Sequence, residues 1–456
     1  MSGARVVAAC CALQLAIGAV CLRGADWPQW RGPGSAGVSA ERGLPLDWTA
    51  TQNVAWKTAL PGRGHSSPIV WGKRIFLTTA IEGEVLPGAA APTHYLDVTK
   101  ERKARLPEGF GADRRQTLKV LALDADTGRV LWERTAYDGP VYDSRHKKGS
   151  FASPTPITDG RTVYAFFGSE GVFAYDVDGA LRWKADLGRL PTMGLSTGTS
   201  PVLFRNLLIL QCDEDLGARS FLIALDKTTG AEVWKTPRRL HDGHVHEAGR
   251  GVSWATPVIV TAAGHPELIT SGSESVIAYD PATGRELWRT AVAESNAIPS
   301  PVFSPDLVYV SAGFPRKRTI AIRPGGTGEL TAASGVAWTY DRGTAYVASP
   351  LLYRDYLYLL SDAGILTCLD AKTGAVQYDS GRVPVPASFT ASPVAFGDVI
   401  LLTSEDGDTF VIEAGPRHRV LRVNPLGEPV IASLAIANGR IYIRGEQHLY
   451  AISTPR

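Results

Sequence analysis

The sequence predicts an all-β chain folded as an eight-bladed β-propeller of four-stranded antiparallel blades, on the basis of two recurring patterns. The first is a hairpin with an Asp-x-x-Thr-Gly turn followed by an aromatic residue, as in "ALDADTGRVLWE" from Ala122. The second is a small residue and a proline before an apolar run, as in "SSPIVWGKRIFLTTA" from Ser66. Because both patterns recur along nearly the whole chain, they indicate one repeated unit.

The proline pattern occurs eight times, at intervals of roughly 40 to 50 residues, which is the period of a propeller blade. Its positions are Pro68, Pro154, Pro201, Pro257, Pro301, Pro350, Pro393 and, in the eighth copy, Leu434. We expect each proline to open the innermost strand of a blade, where a missing N–H does least harm. The first interval is longer than the others and predicts an insertion over residues 82–116 in the first blade.

The hairpin pattern predicts a structural turn. The side chains of Asp124 and Thr127 can accept hydrogen bonds from turn amides, and Gly128 can take the positive φ that the turn needs. The aromatic residue that follows offers a large flat contact between neighbouring blades. We expect this structural role for Trp56, Trp132, Trp183, Trp234, Trp288 and Trp338, with Tyr378 and Val423 in the later copies.

The two ends of the repeat array complement each other. The segment "NVAWKTA" from Asn53 resembles an outer strand but precedes the first Ser-Pro pattern, whereas the eighth copy ends at "HLYAIS" without an outer strand. We therefore predict that residues 53–59 complete the blade begun by residues 432–452. Such closure removes the free sheet edges of an open array.

The N-terminus predicts export. An apolar run from Val6 to Leu22 lies between Arg5 and Arg23, which is typical of a signal peptide, here residues 1–25, with the propeller over residues 26–456. An uncleaved membrane anchor and lipidation at Cys21 are the alternatives. We expect the periplasm or the outer-membrane periphery of a Gram-negative-type bacterium. Since 47 basic residues nearly balance 45 acidic ones, no nucleic-acid partner is expected.

The motifs "ALDADTGRVLW" and "SSPIV" resemble the quinoprotein-type repeat, called the PQQ-like β-propeller repeat, over nearly all the chain after the signal. The opening "DWPQWRGPGSAGVS" is similar to secreted propellers of environmental bacteria, and the architecture resembles the scaffold lipoprotein of the outer-membrane β-barrel assembly machine. The resemblance is specific for the fold and says little about function, because the repeat encodes blade packing.

Two functions follow from the resemblance. Likeness to the quinone enzymes implies pyrroloquinoline quinone in a central funnel, a Ca²⁺ ion, a catalytic Asp and a ring of adjacent cysteines. The adjacent cysteines of this chain, Cys10 and Cys11, lie within the predicted signal, and the sequence shows no convincing Ca²⁺ ligand set. We therefore expect a monomeric, non-catalytic binding or assembly scaffold of the cell envelope, with a protein partner or a small ligand. A quinone-dependent dehydrogenase is the alternative.

Binding is expected on the face that carries the long loops, because recognition usually lies on non-repeating loops of a rigid scaffold. The candidate residues there are His65, Arg145, His146 and Trp254. For the two histidines a hydrogen-bonded structural role is the favoured alternative, and for Trp254 a buried contact between blades. The basic clusters on this face can steer an anionic ligand or a membrane surface, or can simply be solvated; they comprise Arg102, Lys103, Arg105, Arg145, Lys147 and Lys148.

One loop carries a cluster of metal-ligand types. His244 and His246 can present two imidazoles to one side of an extended loop, with Glu247 or His241 nearby. A transition-metal site is one interpretation. The other, favoured by the loose spacing, is a solvated loop that binds no metal.

Overall fold

The computed structural model describes residues 26–88, 97–98, 102–103, 109–192, 194–214, 219–238, 253–272, 275–291, 297–313 and 317–454. In these residues all regular structure is β-strand, apart from two short 3₁₀ helices, Pro33–Ser35 and Gly168–Glu170. No helix in this part of the chain has the length and apolarity needed to cross a membrane. The predicted signal peptide lies outside the described residues.

Eight antiparallel sheets confirm the predicted eight-bladed propeller, and we call the strands of each blade A to D, from the innermost to the outermost. Blade 1 contains Ile69–Trp71, Arg74–Val85, Arg114–Asp124 and Val130–Pro140, and blade 2 contains Ile157–Thr158, Thr162–Phe166, Val172–Asp176 and Leu181–Ala185. Blade 3 contains Val202–Phe204, Leu207–Cys212, Phe221–Asp226 and Glu232–Pro237, and blade 4 contains Val258–Ala262, His265–Gly272, Ser275–Tyr279 and Glu286–Ala291.

The second half of the ring follows the same plan. Blade 5 contains Val302–Phe303, Val308–Ala312, Arg318–Ile322 and Val336–Tyr340, and blade 6 contains Leu351–Tyr353, Tyr356–Leu360, Ile365–Asp370 and Val376–Arg382. Blade 7 contains Val394–Phe396, Val399–Thr403, Asp408–Glu413 and Val420–Pro425, and blade 8 contains Ala435–Ala437, Arg440–Arg444, His448–Ile452 and Val54–Ala59. Short additions are Gly328–Glu329 beside blade 4, Val38–Ser39 beside blade 7, and a hairpin of Asp97–Val98 and Arg102–Lys103.

The ring closes as predicted. The early strand Val54–Ala59 forms strand D of blade 8 and pairs antiparallel with His448–Ile452, with Trp56 opposite Ala451. The predicted insertion in blade 1 begins as an extension of the sheet, because Glu82 pairs with Gln116 and strands B and C run on past the other blades' length.

The core lies in the middle strands of the blades. All six residues of Leu207–Cys212 are buried, whereas the outer strand Val54–Ala59 alternates between partly buried and exposed positions. The middle strands read as continuous apolar runs because neighbouring blades cover both of their faces. Cys212 and Cys368 are free and buried in separate blades.

A chain of hydroxyl groups links the starts of the A strands. Each A strand begins directly after the proline of its blade, or after Leu434 in blade 8; in blade 2 this residue is Pro156, so the assignment of Pro154 to this role was wrong. The residue before it is Ser or Thr, and its backbone N–H donates to the hydroxyl of the next blade at 2.8–3.0 Å. These links run from Ser67 to Thr155, Ser200, Thr256, Ser300, Ser349, Ser392 and Ser433.

The opposite face of the ring, which we call the turn face, carries the Asp-x-x-Thr-Gly hairpins. In blade 3 the Oδ1 atom of Asp226 accepts hydrogen bonds from the backbone N–H groups of Thr228 and Thr229, each at 2.9 Å. The Thr229 hydroxyl donates to the same oxygen at 3.1 Å. These hydrogen bonds hold the pKa of Asp226 below its ordinary value, so the carboxylate stabilises the turn in its charged form.

Each such turn receives a tryptophan from the preceding blade. Trp183 of blade 2 donates its indole N–H to the carbonyl of Lys227 at 3.0 Å, and its ring covers Gly230. A Cβ atom at position 230 would lie 2.6 Å from that ring, and φ there is +76°. The same contact joins Trp56 to Gly128, Trp132 to Gly179, Trp234 to Gly284 and Trp338 to Gly374.

Trp288 is placed differently from the other blade tryptophans. Its indole N–H donates to Oε2 of Glu267 in its own blade at 2.8 Å, and the ring is fully buried against residues of blade 5. Blade 5 has no Asp-x-x-Thr-Gly turn to receive it. Blade 5 instead contributes the short strand Gly328–Glu329, which pairs in parallel with strand D of blade 4.

Candidate functional site

The ring encloses a central funnel of about 560 Å³ on the face opposite the turns. Its wall is made by the residues that precede the A strands and by the turns between strands B and C. The aromatic and charged members of this wall are Trp30, His65, His146, Lys148, Trp254, Tyr346, Asp362, Phe389 and Glu405. A cavity of this size falls within the range of small-molecule binding sites.

The N-terminal segment crosses the inside of the ring and forms the floor of the funnel. Trp27 exchanges two backbone hydrogen bonds of 2.8 Å with Val70 in the innermost strand of blade 1. Trp30 then donates its indole N–H to the Ser300 hydroxyl of blade 5 at 3.2 Å and lines the cavity. The segment finally pairs in parallel with blade 7 through Val38–Ser39. The N-terminal segment therefore closes the funnel where it crosses the ring.

Arg31 fastens this floor. Its side chain is fully buried and donates to the carbonyls of Ser349 at 3.2 Å and Ala36 at 3.3 Å. Burial lowers the pKa of this guanidinium to about 9, so it stays charged at neutral pH. Gly37 leaves room for it, since a Cβ there would lie 2.6 Å from Nη2. No structural role was predicted for this segment, although its dense Trp, Gly and Arg content is visible in "DWPQWRGPG".

The structure brings together three of the four predicted binding-face residues. His65, His146 and Trp254 all line the funnel, and Trp254 donates its indole N–H to the carbonyl of Ser196 at 2.9 Å. Arg145 does not line it: the residue is buried in the wall, where its guanidinium pairs with Glu82. Arg145 thus braces the loop that carries its neighbour His146.

One ion pair joins two different blades of the funnel wall. Lys148, before blade 2, lies 2.7 Å from Oε2 of Glu405 in blade 7, whose Oε1 accepts a hydrogen bond from the Thr390 hydroxyl at 2.6 Å. Burial raises the pKa of the nearby Asp362 above its ordinary value. Burial also lowers the pKa of His146, with help from the two lysines that follow it. The Lys148–Glu405 pair therefore connects the two blades at the funnel wall.

His65 lies in a strongly cationic environment. Burial, acting together with the neighbouring guanidinium groups of Arg444, Arg63 and Arg145, lowers the pKa of its imidazole to about 3. The ring is therefore neutral at physiological pH and retains one N–H donor and one acceptor nitrogen.

The described residues do not fit a quinone centre with its Ca²⁺ ion. Such a centre requires several carboxylate and amide oxygens around one point. The described funnel wall supplies Asp362 and Glu405, and Glu405 is already paired with Lys148. Within the described part of the chain, no three His, Cys, Asp or Glu side chains are grouped to hold a metal. The predicted cluster of His241, His244, His246 and Glu247 lies outside it, as do Cys10 and Cys11.

The fold and its cavity define an eight-bladed β-propeller with a ligand-sized central funnel. The family model described as "Outer membrane protein assembly factor BamB" matches residues 38–193, 110–237 and 218–382. Together these matches cover most of the chain, which therefore belongs to this family of PQQ-like β-propellers.

Individual relatives differ in function. Tetrathionate hydrolase from Acidithiobacillus ferrooxidans is 22% identical over 78% of this chain, which spans 65% of that enzyme's length. The structure of BamB from Moraxella catarrhalis matches with a TM-score of 0.53 and 14% identity, covering 74% of this chain and 93% of BamB. The quinohemoprotein alcohol dehydrogenase of Comamonas testosteroni matches with a TM-score of 0.61 and 13% identity, over 94% of this chain and 81% of the enzyme. At these identities the two structures show a shared fold.

Proposed function

We propose that this chain is an exported, non-catalytic binding or assembly scaffold of the cell envelope, with a signal peptide over residues 1–25 and one propeller domain over residues 26–456. The observation that carries the proposal is the state of the charged groups in the funnel. Lys148 and Glu405 are bound to each other, and among the described residues no three His, Cys, Asp or Glu side chains are grouped to hold a metal ion. A ligand-sized funnel whose charged side chains are paired in this way is suited to binding a partner or ligand.

Apolar surface beside the funnel supports the binding role. Phe110 and Val85 are exposed, at 39% and 54%, where blade 1 extends beyond the other blades. Trp254 contributes a half-buried aromatic ring at the funnel wall. Aromatic residues are enriched at protein interfaces, where they combine a large contact area with a polar edge. The family description of an outer-membrane assembly factor points in the same direction.

Affinity capture from envelope extracts tests this proposal with two matched tryptophan variants. Trp254→Ala removes an aromatic ring from the funnel, whereas Trp71→Ala removes one from the opposite face, where Trp71 is 37% exposed. We expect specific envelope partners to bind the wild type and Trp71→Ala, and to be lost or reduced several-fold with Trp254→Ala. Equal recovery on all three proteins would refute the assignment to the funnel face. Cell fractionation tests export: recovery of a full-length chain in the cytosol would contradict it.

A quinone-dependent dehydrogenase is the second candidate, favoured by the size of the funnel and by the likeness in fold to a quinohemoprotein alcohol dehydrogenase. Titration with pyrroloquinoline quinone and Ca²⁺ separates the two candidates. We expect no saturable change in quinone absorbance and no alcohol-dependent dye reduction. Saturable binding accompanied by turnover would replace the scaffold with the enzyme.

A further inference from the structure

A smaller cavity of about 130 Å³ lies beside the funnel, where blade 8 meets blade 1. It shares His65 and Lys148 with the funnel wall. Its other charged lining residues are Arg63, Lys147, Arg444 and Glu446. The cavity therefore has four cationic side chains and one carboxylate, and one of the cations, Lys148, is already paired with Glu405.

Arg444 is the buried cation of this cavity. It ends strand B of blade 8 and is 2% exposed. Its Nη1 atom donates to the carbonyl and the hydroxyl of Ser66, at 3.0 and 2.6 Å. Its Nε and Nη2 atoms have no hydrogen-bond partner, and the guanidinium no ion-pair partner, among the described residues. Two donor positions of a buried guanidinium thus remain available at the cavity.

The backbone leaves space for this guanidinium. A Cβ atom at Gly64 would lie 2.0 Å from Nη2 of Arg444 and 2.5 Å from the carbonyl of Thr78. Only a residue without a side chain fits here. Burial lowers the pKa of Arg444 to about 9, so the group still carries its charge at neutral pH.

The acids around this cavity do not neutralise Arg444. Glu428 accepts hydrogen bonds from the Tyr450 hydroxyl at 3.0 Å and lies 2.7 Å from Nδ1 of His448. Glu446 lies 3.8 Å from Arg63, and both side chains are more than a third exposed, so this contact is weak. The Nε atom of Arg63 is itself buried without an acceptor. A buried charge without a counter-charge is costly, and a bound anion would relieve that cost.

His65 completes the lining without adding charge. Its imidazole is neutral at physiological pH, and no hydrogen bond joins the ring to a described residue. A neutral imidazole can donate its N–H to an anion, whereas a nearby carboxylate would repel one.

We propose that this cavity is a binding site for a small oxyanion, either a carboxylate group or a tetrahedral anion such as sulfate or phosphate. Arg444 is its main donor, with the fork of N–H groups that suits two oxygens of one anion. Arg63 and Lys147 add positive charge at the mouth, and His65 adds a neutral donor. The volume equals the liquid share of about four water molecules, which suits one oxyanion group. This inference goes beyond the proposed function and holds whether or not the funnel binds a protein.

Isothermal titration of the full exported chain with sodium sulfate, sodium phosphate and sodium acetate tests the site. Titrations are made at constant ionic strength in chloride buffer. We expect saturable one-site binding of at least one of these anions, at least tenfold weaker in Arg444→Met and unchanged in Lys372→Gln, which alters an exposed lysine of the turn face. Preference for sulfate or phosphate identifies a tetrahedral ligand, and preference for acetate a carboxylate. No saturable binding by any of the three would refute the proposal.

The thermal stability of the same proteins provides an independent readout. We expect the bound anion to raise the melting temperature of the wild type and not that of Arg444→Met. In chloride alone Arg444→Met should melt at or above the wild-type temperature, because it removes an uncompensated buried charge. If Arg444→Met does not fold, Arg63→Gln and Lys147→Gln decide the question: each should weaken binding several-fold, and wild-type affinity in both would overturn the site.

Discussion

The two faces of the ring differ in how many of their contacts repeat from blade to blade. On the turn face, one contact is repeated from blade to blade: a tryptophan covers the turn glycine of the next blade, as Trp183 covers Gly230. On the funnel face, the hydroxyl chain before the A strands also repeats, as in the contact of Thr155 with Ser200, but the contacts of the charged side chains do not. The Lys148–Glu405 pair occurs once, and so does the contact of Arg444 with Ser66. The repeated residues hold the ring together, and we propose that ligand recognition depends on the residues that occur in one copy.

Blades 4 and 5 show how this principle changes when one repeat is altered. Blade 5 has no Asp-x-x-Thr-Gly turn, and Trp288 of blade 4 donates to the buried Glu267 in its own sheet. Leu330 then packs into the same hydrophobic cluster as Trp288. The junction therefore keeps its buried tryptophan although its polar partner has changed from a turn carbonyl to a carboxylate.

The largest expected difference between the faces is in stability, and it concerns two tryptophans. Trp183→Ala should lower the free energy of unfolding by about 3–5 kcal/mol, because it removes a nearly buried ring that bridges two blades. Trp254→Ala, on the funnel face, should cost less than half as much, since Trp254 is only half-buried. Urea unfolding followed by circular dichroism measures both. Equal losses would show that the funnel face contributes as much to the ring as the turn face.

A glycine pair separates backbone strain from the tryptophan contact. Gly230→Ala combines a positive φ with a Cβ 2.6 Å from Trp183, and should cost roughly 2–4 kcal/mol. Gly264→Ala has a similar φ, +82°, but meets no atom within 4 Å, and should cost about 1 kcal/mol. Unfolding of both variants in urea gives the difference. If the two losses were equal, the ring on Gly230 would have no energetic role.

A smaller effect is expected from His65 and depends on pH. Its pKa is about 3 in the folded chain and about 6.5 in the unfolded chain. As the pH falls below 6.5, the unfolded chain binds a proton that the folded chain excludes, so folding loses stability. The arginines facing His65 are Arg63, Arg145 and Arg444.

The variant His65→Gln removes this titration. The wild type should therefore lose on the order of 1–2 kcal/mol relative to His65→Gln between pH 6.5 and 5. Urea unfolding at the two pH values measures the difference. If the free energy of unfolding changed equally in the two proteins, His65 would bind a proton as readily in the folded chain as in the unfolded chain.

The smallest effect is expected from the turn carboxylate. Asp226→Ala removes the acceptor of two backbone N–H groups, which are exposed and can bond to water instead. We therefore expect a loss of about 1 kcal/mol in the free energy of unfolding, with unchanged anion and partner binding. A change in binding would mean that the turn face has a recognition role as well.

The sequence predicted the turn face better than the funnel. Asp226 and Gly230 act within one hairpin, so the local pattern is enough to assign their roles. The hydroxyl of Ser200 could not be paired from the sequence, because its donor Thr155 belongs to another repeat. The face of the binding candidates followed from the loop pattern, and His65 and Trp254 do line the funnel.

Two features of the site were missed for the same reason. Trp30 reaches blade 5 across the ring, over 270 positions along the chain, and no local pattern encodes such a contact. Arg444 ends the apolar strand "RIYIR", where an arginine resembles an ordinary solvated strand end. The sequence did contain one signal for Arg444. An arginine ends strand B in blade 8, whereas Cys212 and Leu360 occupy the corresponding strand ends in blades 3 and 6.

Site-specific photo-crosslinking compares the two faces most directly. A photoreactive amino acid is placed at Ser388, which is exposed in the funnel, or at Lys372, which is exposed in a turn of blade 6, and the cells are irradiated before the envelope is extracted. We predict a discrete covalent adduct from position 388 and none from position 372. An adduct from position 372 alone, or equal adducts from both, would contradict the assignment of recognition to the funnel face.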